Sequence, residues 1–240
     1  MPGLLSIERR DQVALVTLQR PEKRNALSID LRLELADAFT RLSDDNEVGC
    51  VVLTGAGTAF CAGMDTTQFG GDRSNREALV ESSIAAFSAV GTCARPVVAA
   101  VNGPALAGGF ALALLCDLRL AAENASFGYP ELPRGIPPAY AATRAALPAA
   151  TARELTLTGR ILDSFSALRL GVVSAVHPDD ALLGKSLELA GRIASSPRSA
   201  IVETKRRILL DREHSFGHLF EAEEKMLREA LLGSDPDDAA

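Results

Sequence analysis

Apolar positions along this chain follow two rhythms. In the first half, short apolar runs alternate with stretches of helical spacing. Residues 4–9 and 13–18 predict a strand pair that turns through Arg10, Asp11 and Gln12. Residues 28–42 predict a helix capped by Ser28, with Leu31, Leu35, Phe39 and Leu42 on one face. Residues 50–54 and 97–101 are continuous apolar runs, the pattern of strands covered on both faces, and 117–121 reads as a third strand. Residues 75–90 predict another helix. The loop before it, Gly70-Gly71-Asp72-Arg73, reads equally as a mobile lid or a plain surface loop.

The last third is helical throughout. Residues 149–156, 163–168, 179–193, 197–209 and 216–232 all carry helical spacing, and Ser196-Pro197 has the form of a cap followed by a first-turn proline. The final helix sets Glu221 with Lys225 and Glu224 with Arg228 four residues apart on a wet face, and Leu219, Met226 and Ala230 on another. The small acidic tail 235–240 reads as a frayed end. No fixed-period repeat is visible.

The chain has 240 residues, enough for one sizeable core. No apolar run reaches the roughly 18–20 residues of a membrane span, and the first residues lack a signal-peptide layout. Cys50, Cys61, Cys93 and Cys116 show no CxxC pairing, so buried reduced thiols and a cytoplasmic setting are expected. A net charge of −6 and the absence of Trp argue against nucleic acid as a partner.

The chemistry gathers at two turns. Ala59-Phe60-Cys61-Ala62-Gly63-Met64-Asp65 leaves one apolar strand, and Asn102-Gly103-Pro104-Ala105-Leu106-Ala107-Gly108-Gly109-Phe110 leaves another. Small residues let backbone N–H groups approach a ligand closely. The second turn also runs into a helix, whose N-terminus is positive. Two such turns facing one another make an oxyanion hole. Glu131, after Pro130 in apolar surroundings, is the candidate acid or base; taken alone it reads as a loop glutamate, and the paired turns make the catalytic reading the better one.

With these residues in hand, the chain resembles the enoyl-CoA hydratase/isomerase (crotonase) superfamily. The resemblance runs from Arg20-Pro21-Glu22-Lys23-Arg24-Asn25-Ala26-Leu27 through 59–65 and 100–117 to 127–135, and on to 157–160 and 171–173. It implies an α/β fold, a spiral of ββα units (residues 1–190) with a C-terminal helical trimerisation region (191–240) that also covers the active site. It implies an acyl-CoA thioester substrate, a homotrimer or hexamer, and no metal or redox cofactor. The oxyanion N–H groups fall on Met64 and Gly108. Lys23, Arg24, Ala26 and Leu27 match the segment lining the CoA nucleotide. Ala62, Asp65, Gly109, Ala111 and Tyr129 fall in the substrate site, with Tyr129 read either as orienting Glu131 or as packing.

One position departs from the pattern. Family hydratases carry two glutamates, and the first of those positions is Ala111 here. A 1,3-proton shift needs one carboxylate, so isomerisation of an enoyl-CoA double bond is the leading reading. A 2-enoyl-CoA hydratase, other enolate chemistry of the superfamily, and a catalytically weak acyl-CoA-binding subunit remain as alternatives. Asp65, Glu77 and Glu81 are the candidates for a second acid, although structural or solvated roles suit each better. The Gly55-x-Gly57 pair is too weak for a dinucleotide loop. His214 and His218 lack a third metal ligand. Lys205-Arg206-Arg207 reads as a wet helix face, with CoA phosphate contact as the lesser alternative.

Overall fold

The computed structural model describes residues 3–232, apart from the side chains of His214, Ser215, Ala230 and Leu231. β1 (Leu5–Arg10) and β2 (Val13–Leu18) form a hairpin, and α1 (Ile29–Asp44) leads to β3 (Cys50–Gly55). α2 (Arg73–Gly91) leads to β4 (Val97–Val101). The short β5 (Ala105–Leu106) and α3 (Gly108–Leu115) then lead to β6 (Leu118–Ala122). Next come β7 (Ser126–Gly128), α4 (Tyr140–Ala146), α5 (Ala149–Thr158), β8 (Leu162–Asp163), α6 (Ser164–Arg169) and β9 (Ala175–His177). Helices α7 (Leu182–Ala194), α8 (Arg198–Arg212) and α9 (His218–Leu232) close the described chain.

The main sheet runs β1-β2-β3-β4-β6-β9, with β1 antiparallel and every other pairing parallel. Alternation along its strands sorts side chains into two cores. Ala14, Val16, Val51, Leu53, Val97 and Ala99 join the apolar faces of α1 and α3 on one side. Val13, Leu15, Cys50, Val52, Val98 and Ala100 meet Leu182 and Ala190 of α7 on the other. A boundary at residue 190 therefore cuts α7, which belongs to the core. All four cysteines are free and buried, and among the described residues no helix is long and apolar enough to cross a membrane.

A second sheet, β5-β7-β8, was not anticipated. Its strands are two or three residues long, too short for any periodicity to register. α4 was likewise unforeseen. α2 starts at Arg73, two residues early, because the Asp72 carboxylate caps it by accepting the Asn75 N–H at 2.9 Å. The glycine loop before it is tied down: Asn75 Nδ2 donates to the carbonyls of Gly70 (2.7 Å) and Gln68 (3.0 Å).

The C-terminal helices depart furthest from expectation. Ser196 does not cap α8; its hydroxyl donates back to the Arg192 carbonyl, and Pro197 holds the cap position without a side-chain bond. α8 and α9 are joined through a π-helical turn, Glu213–Gly217, instead of being separated. Phe216 in that turn is buried and stacks on Phe220. On α9, neither foreseen charge pair forms. Lys225 lies 3.9 Å from Glu229, Arg228 pairs with Glu81 of α2, and Met226 is exposed. Ala230's side chain and the tail 235–240 lie outside the described residues.

Lys205 is the clearest correction. Arg206 and Arg207 do lie at the surface, paired with Glu203. Lys205 is instead buried, its Nζ 2.7 Å from both carboxylate oxygens of Asp117. Arg212 approaches the same carboxylate at 3.3 Å, and Asp117 also accepts the Val97 N–H at 2.8 Å. This cluster fastens α8 to the starts of β4 and β6. Removing one partner of a buried pair leaves the other charge uncompensated, which costs about 3–5 kcal/mol. With Arg212 still present, Lys205→Ala should lose stability near the lower end of that range in urea unfolding. A loss under about 1 kcal/mol would mean that Arg212 alone satisfies Asp117.

Candidate active site

The first turn is built as a ladder against the segment that follows β2. Arg24 and Asn25 both take left-handed backbone conformations, with φ of 50° and 55°. Asn25 tolerates this because its buried side chain is fully engaged. Its Oδ1 accepts the Arg20 N–H, and its Nδ2 donates to the carbonyls of Ala56 and Ala59. The Ala62 N–H then donates to Arg24 (2.9 Å), Leu27 to Gly63 (2.8 Å), and Asp65 to Leu27 (3.2 Å). Lys23 and Arg24 remain exposed, Ala26 is half-buried and Leu27 is buried. The Lys23–Leu27 strip and the first turn are thus one rigid unit.

The second turn docks on the first. Cys61 and Ala105 form a parallel bridge, with the Cys61 N–H donating to Pro104 (3.1 Å) and Leu106 donating to Cys61 (3.0 Å). Gly109 makes this approach possible, since a Cβ there would sit 2.1 Å from the Cys61 carbonyl oxygen. Gly63, at φ 100°, brings the turns into contact again: a Cβ on it would lie 2.8 Å from Ala107 Cβ and 3.4 Å from the Gly108 nitrogen. Ala107, just before that nitrogen, is held at φ 51°, an uncommon conformation for a residue with a side chain. Its N–H is fixed on the Gly128 carbonyl at 2.9 Å. Among the described residues, the Met64 and Gly108 N–H groups have no acceptor. They are two open backbone donors, one on each turn.

β7 brings the carboxylate. It runs parallel to β5, Leu106 opposite Gly128. Gly108 and Glu131 therefore leave the two strands at the same end, two and three residues further on. Glu131 is partly buried, and its Oε2 is enclosed with no hydrogen-bond partner. Burial pushes its carboxyl up to about 7, against the weaker pull of its own backbone amide and of Arg134. A carboxyl near neutrality can both take and return a proton.

The other carboxylates nearby are already engaged. Burial would raise Asp65, but Thr67 and Arg20 outweigh it: Oδ1 accepts from the Thr67 hydroxyl at 2.6 Å, and Arg20 lies 2.9 Å from Oδ2. Held below the usual range, Asp65 caps a short turn as a structural anion, the role that suited it better than that of a second acid. Glu77 pairs with Arg73 and Glu81 with Arg228. Ala111 is buried in the apolar core.

Of the two readings open for Tyr129, its surroundings match packing. Its side chain is fully buried against Phe110, with ring centroids 5.1 Å apart, and its hydroxyl bonds the Thr143 hydroxyl and the Ala139 carbonyl. It therefore holds α4 beside the Glu131 loop. Glu223 of α9 supports the same place, accepting the Ala141 N–H at 2.7 Å. Sequence reasoning missed Glu223 because nothing local relates a C-terminal glutamate to residue 141. It also missed Arg32, buried between α1 and α2, whose guanidinium donates to the Ser28 and Leu79 carbonyls and the Ser83 hydroxyl. Burial lowers Arg32 to about 10, with Asp65 opposing. One turn beyond Ser83, Phe87 reaches the second turn, 3.5 Å from where a Gly108 Cβ would lie.

Residues 8–234 match the family model described as enoyl-CoA hydratase/isomerase. The chain belongs to the enoyl-CoA hydratase/isomerase family. A probable enoyl-CoA hydratase of Mycobacterium tuberculosis is 34% identical over 232 residues, covering 95% of this chain and 90% of the relative. The crystal structure of an enoyl-CoA hydratase from Mycobacterium avium subsp. paratuberculosis aligns with a TM-score of 0.86 and 30% identity, over 98% of this chain and 95% of that one. A structure described as a monofunctional enoyl CoA isomerase from M. smegmatis aligns with a TM-score of 0.74 and 35% identity, over 88% and 94%. The two docked turns and the parallel sheet thus belong to a crotonase fold.

In this family member the raised Glu131 carboxyl links stability to pH. A group whose folded pKa is raised gives stability that is present at low pH and lost as pH climbs through about 7. Glu131→Gln removes that loss. Its melting temperature should exceed that of the wild type at pH 8 and differ little at pH 5. Parallel melting curves across that range would mean that the carboxyl is not desolvated.

Proposed function

We propose that this member of the enoyl-CoA hydratase/isomerase family shifts the double bond of an enoyl-CoA thioester, with Glu131 as the single acid and base. The observation that carries the reading is the lone carboxyl: Glu131 has an unpartnered oxygen and a pKa near 7, while Asp65 is bonded to Arg20 and Thr67, and residue 111 is a buried alanine. The Glu131 carboxylate takes the α-proton of a 3-enoyl thioester. Electrons move into the carbonyl, and the oxygen of the dienolate is held by the Met64 and Gly108 N–H groups. Glu131 then returns the proton to the γ-carbon, giving the 2-enoyl thioester and restoring the carboxylate. Each oxyanion donor contributes roughly 3–4 kcal/mol to lowering such a barrier. Lys23, Arg24, Ala26 and Leu27 are the strip for the CoA nucleotide, and Ala62 and Gly109 flank the thioester.

The reaction as written needs no metal or redox group. Exposed Leu157, Ile161, Phe165 and Leu168 support association of copies into a trimer or hexamer. A 2-enoyl-CoA hydratase is the second reading, favoured by the names of the curated relatives; it requires a second proton-transfer group beside Glu131.

Product analysis in deuterated water separates these readings. Incubation with a 3-enoyl-CoA should give the 2-enoyl ester and no hydrated product, with deuterium at the γ-carbon to the extent that the proton on Glu131 exchanges with solvent before it is returned. Accumulation of the 3-hydroxyacyl ester would make the enzyme a hydratase, and absence of both turnover and α-exchange would make it a binding subunit. Glu131→Gln should lower turnover by on the order of 10²–10⁴-fold with CoA-ester binding retained.

The reactive form of the free enzyme is the carboxylate, so kcat/KM should fall about tenfold per unit as pH drops below about 7. A flat profile between pH 5 and 8 would sink the proton-transfer role of Glu131.

A further inference from the structure

The C-terminal helix α9 reaches back to the loop that carries Glu131. Amides at a helix start have no partner within the helix and need an acceptor from elsewhere. Ala139, the residue before α4, offers no side chain for this. Glu223 of α9 supplies the acceptor instead. It takes the Ala141 N–H at 2.7 Å, and the Tyr140 N–H stabilises the same carboxylate. Three residues before Glu223, Phe220 stacks on the buried Phe216, which ties this part of α9 to the core.

The helix that Glu223 holds fixes both ends of the Glu131 loop. At one end the loop runs directly into α4 through Ala139. At the other end Tyr129, two residues before Glu131, is bonded to α4 by its hydroxyl. Thr143 donates to the Ala139 carbonyl at 2.6 Å, and its oxygen can then accept from the Tyr129 hydroxyl at 2.5 Å. Between these ends the Arg134 and Ile136 N–H groups fold the chain onto the Glu131 carbonyl, at 2.9 and 3.4 Å. Burial raises the pKa of the Tyr129 hydroxyl, and the charges of Glu131 and Glu223 raise it further. Both carboxyls thus lie within electrostatic reach of the first turn of α4.

The consequence rests on the reading of Glu131 as acid and base. We propose that Glu223 is a positioning residue for Glu131: by holding the start of α4, it keeps the Tyr129–Ala139 loop packed around the Glu131 carboxyl. Among the described residues, Arg134 is the charged group that acts on Glu131, so Glu223 works through placement. Releasing α4 admits water to a carboxyl that owes its raised pKa first to burial. A better solvated Glu131 titrates lower and takes an α-proton more slowly.

NMR titration of the Glu131 carboxyl in the full chain tests this, with Glu131→Gln identifying the signal. In Glu223→Ala the midpoint should fall from about 7 toward the usual carboxylate range. Its kcat should drop roughly 10–100-fold, with KM for the CoA ester little changed. Glu223→Gln keeps an oxygen for the Ala141 N–H and should restore both quantities. A folded Glu223→Ala with the wild-type midpoint and kcat overturns the proposal. So does a Gln variant that behaves like the Ala variant, since charge and not placement would then be at work. Where Glu223→Ala does not fold, Glu223→Asp, one methylene too short for α4, is read in the same way. The titration needs no turnover and is independent of the chemistry assigned to Glu131. Undiminished turnover in Glu131→Gln would end that assignment and leave the titration result standing.

Discussion

The site depends on one close approach, the pairing of Cys61 with β5. Two backbone hydrogen bonds bring the first turn against the second, and they form only because residue 109 has no side chain to fill the space beside the Cys61 carbonyl. β5 then pairs with β7 on its other side, so three segments distant in sequence become neighbours within a few residues. The amides of Met64 and Gly108 and the carboxyl of Glu131 take their positions from that arrangement, and the strained Ala107 is held by it. Preorganisation of this kind is what electrostatic stabilisation of an enolate requires.

Acidic groups around this frame are sorted by what faces them. Asp65 is buried and Asp117 largely so, but both are met by cations, and both serve the architecture: one seals the first turn, the other anchors α8. Glu131 is buried without such a partner, so its proton is exchangeable near neutrality. Glu223 is also raised by burial, but it is fixed on the start of α4 by the Ala141 N–H. Charge compensation separates the carboxyl left to titrate near neutrality from the structural ones.

Much of this was legible in the sequence, for identifiable reasons. The long parallel strands announce themselves as continuous apolar runs, and α1 by its stripe and its Ser28 cap, which accepts the Leu31 N–H as expected. The two glycine turns and Glu131 were readable because each is local and their order along the chain is informative. The β5-β7-β8 sheet was not, since strands of two or three residues carry no period. Lys205 was misread because a buried lysine is indistinguishable in sequence from an exposed one until its partner, 88 residues away, is known. Tyr129 and Asp65 were legible in place but not in partner: Thr143 and Arg20 decide what they do, and neither is signalled by spacing.

Arg32 has a mechanical consequence for the pocket. Its buried guanidinium is held by the carbonyl of Ser28, which caps α1, and by oxygens of Leu79 and Ser83 on α2, with Nη2 left unpartnered, so sliding α2 along α1 would take away the few partners a buried cation has. α2 is thereby a stiff wall, and Phe87, mounted on it one turn past Ser83, has a fixed anchorage beside the second turn. Free space beside the second turn is then adjusted by rotation of side chains such as Phe87 and Met64, and not by breathing of the backbone. A wall of this kind changes shape by rotamer and does not widen.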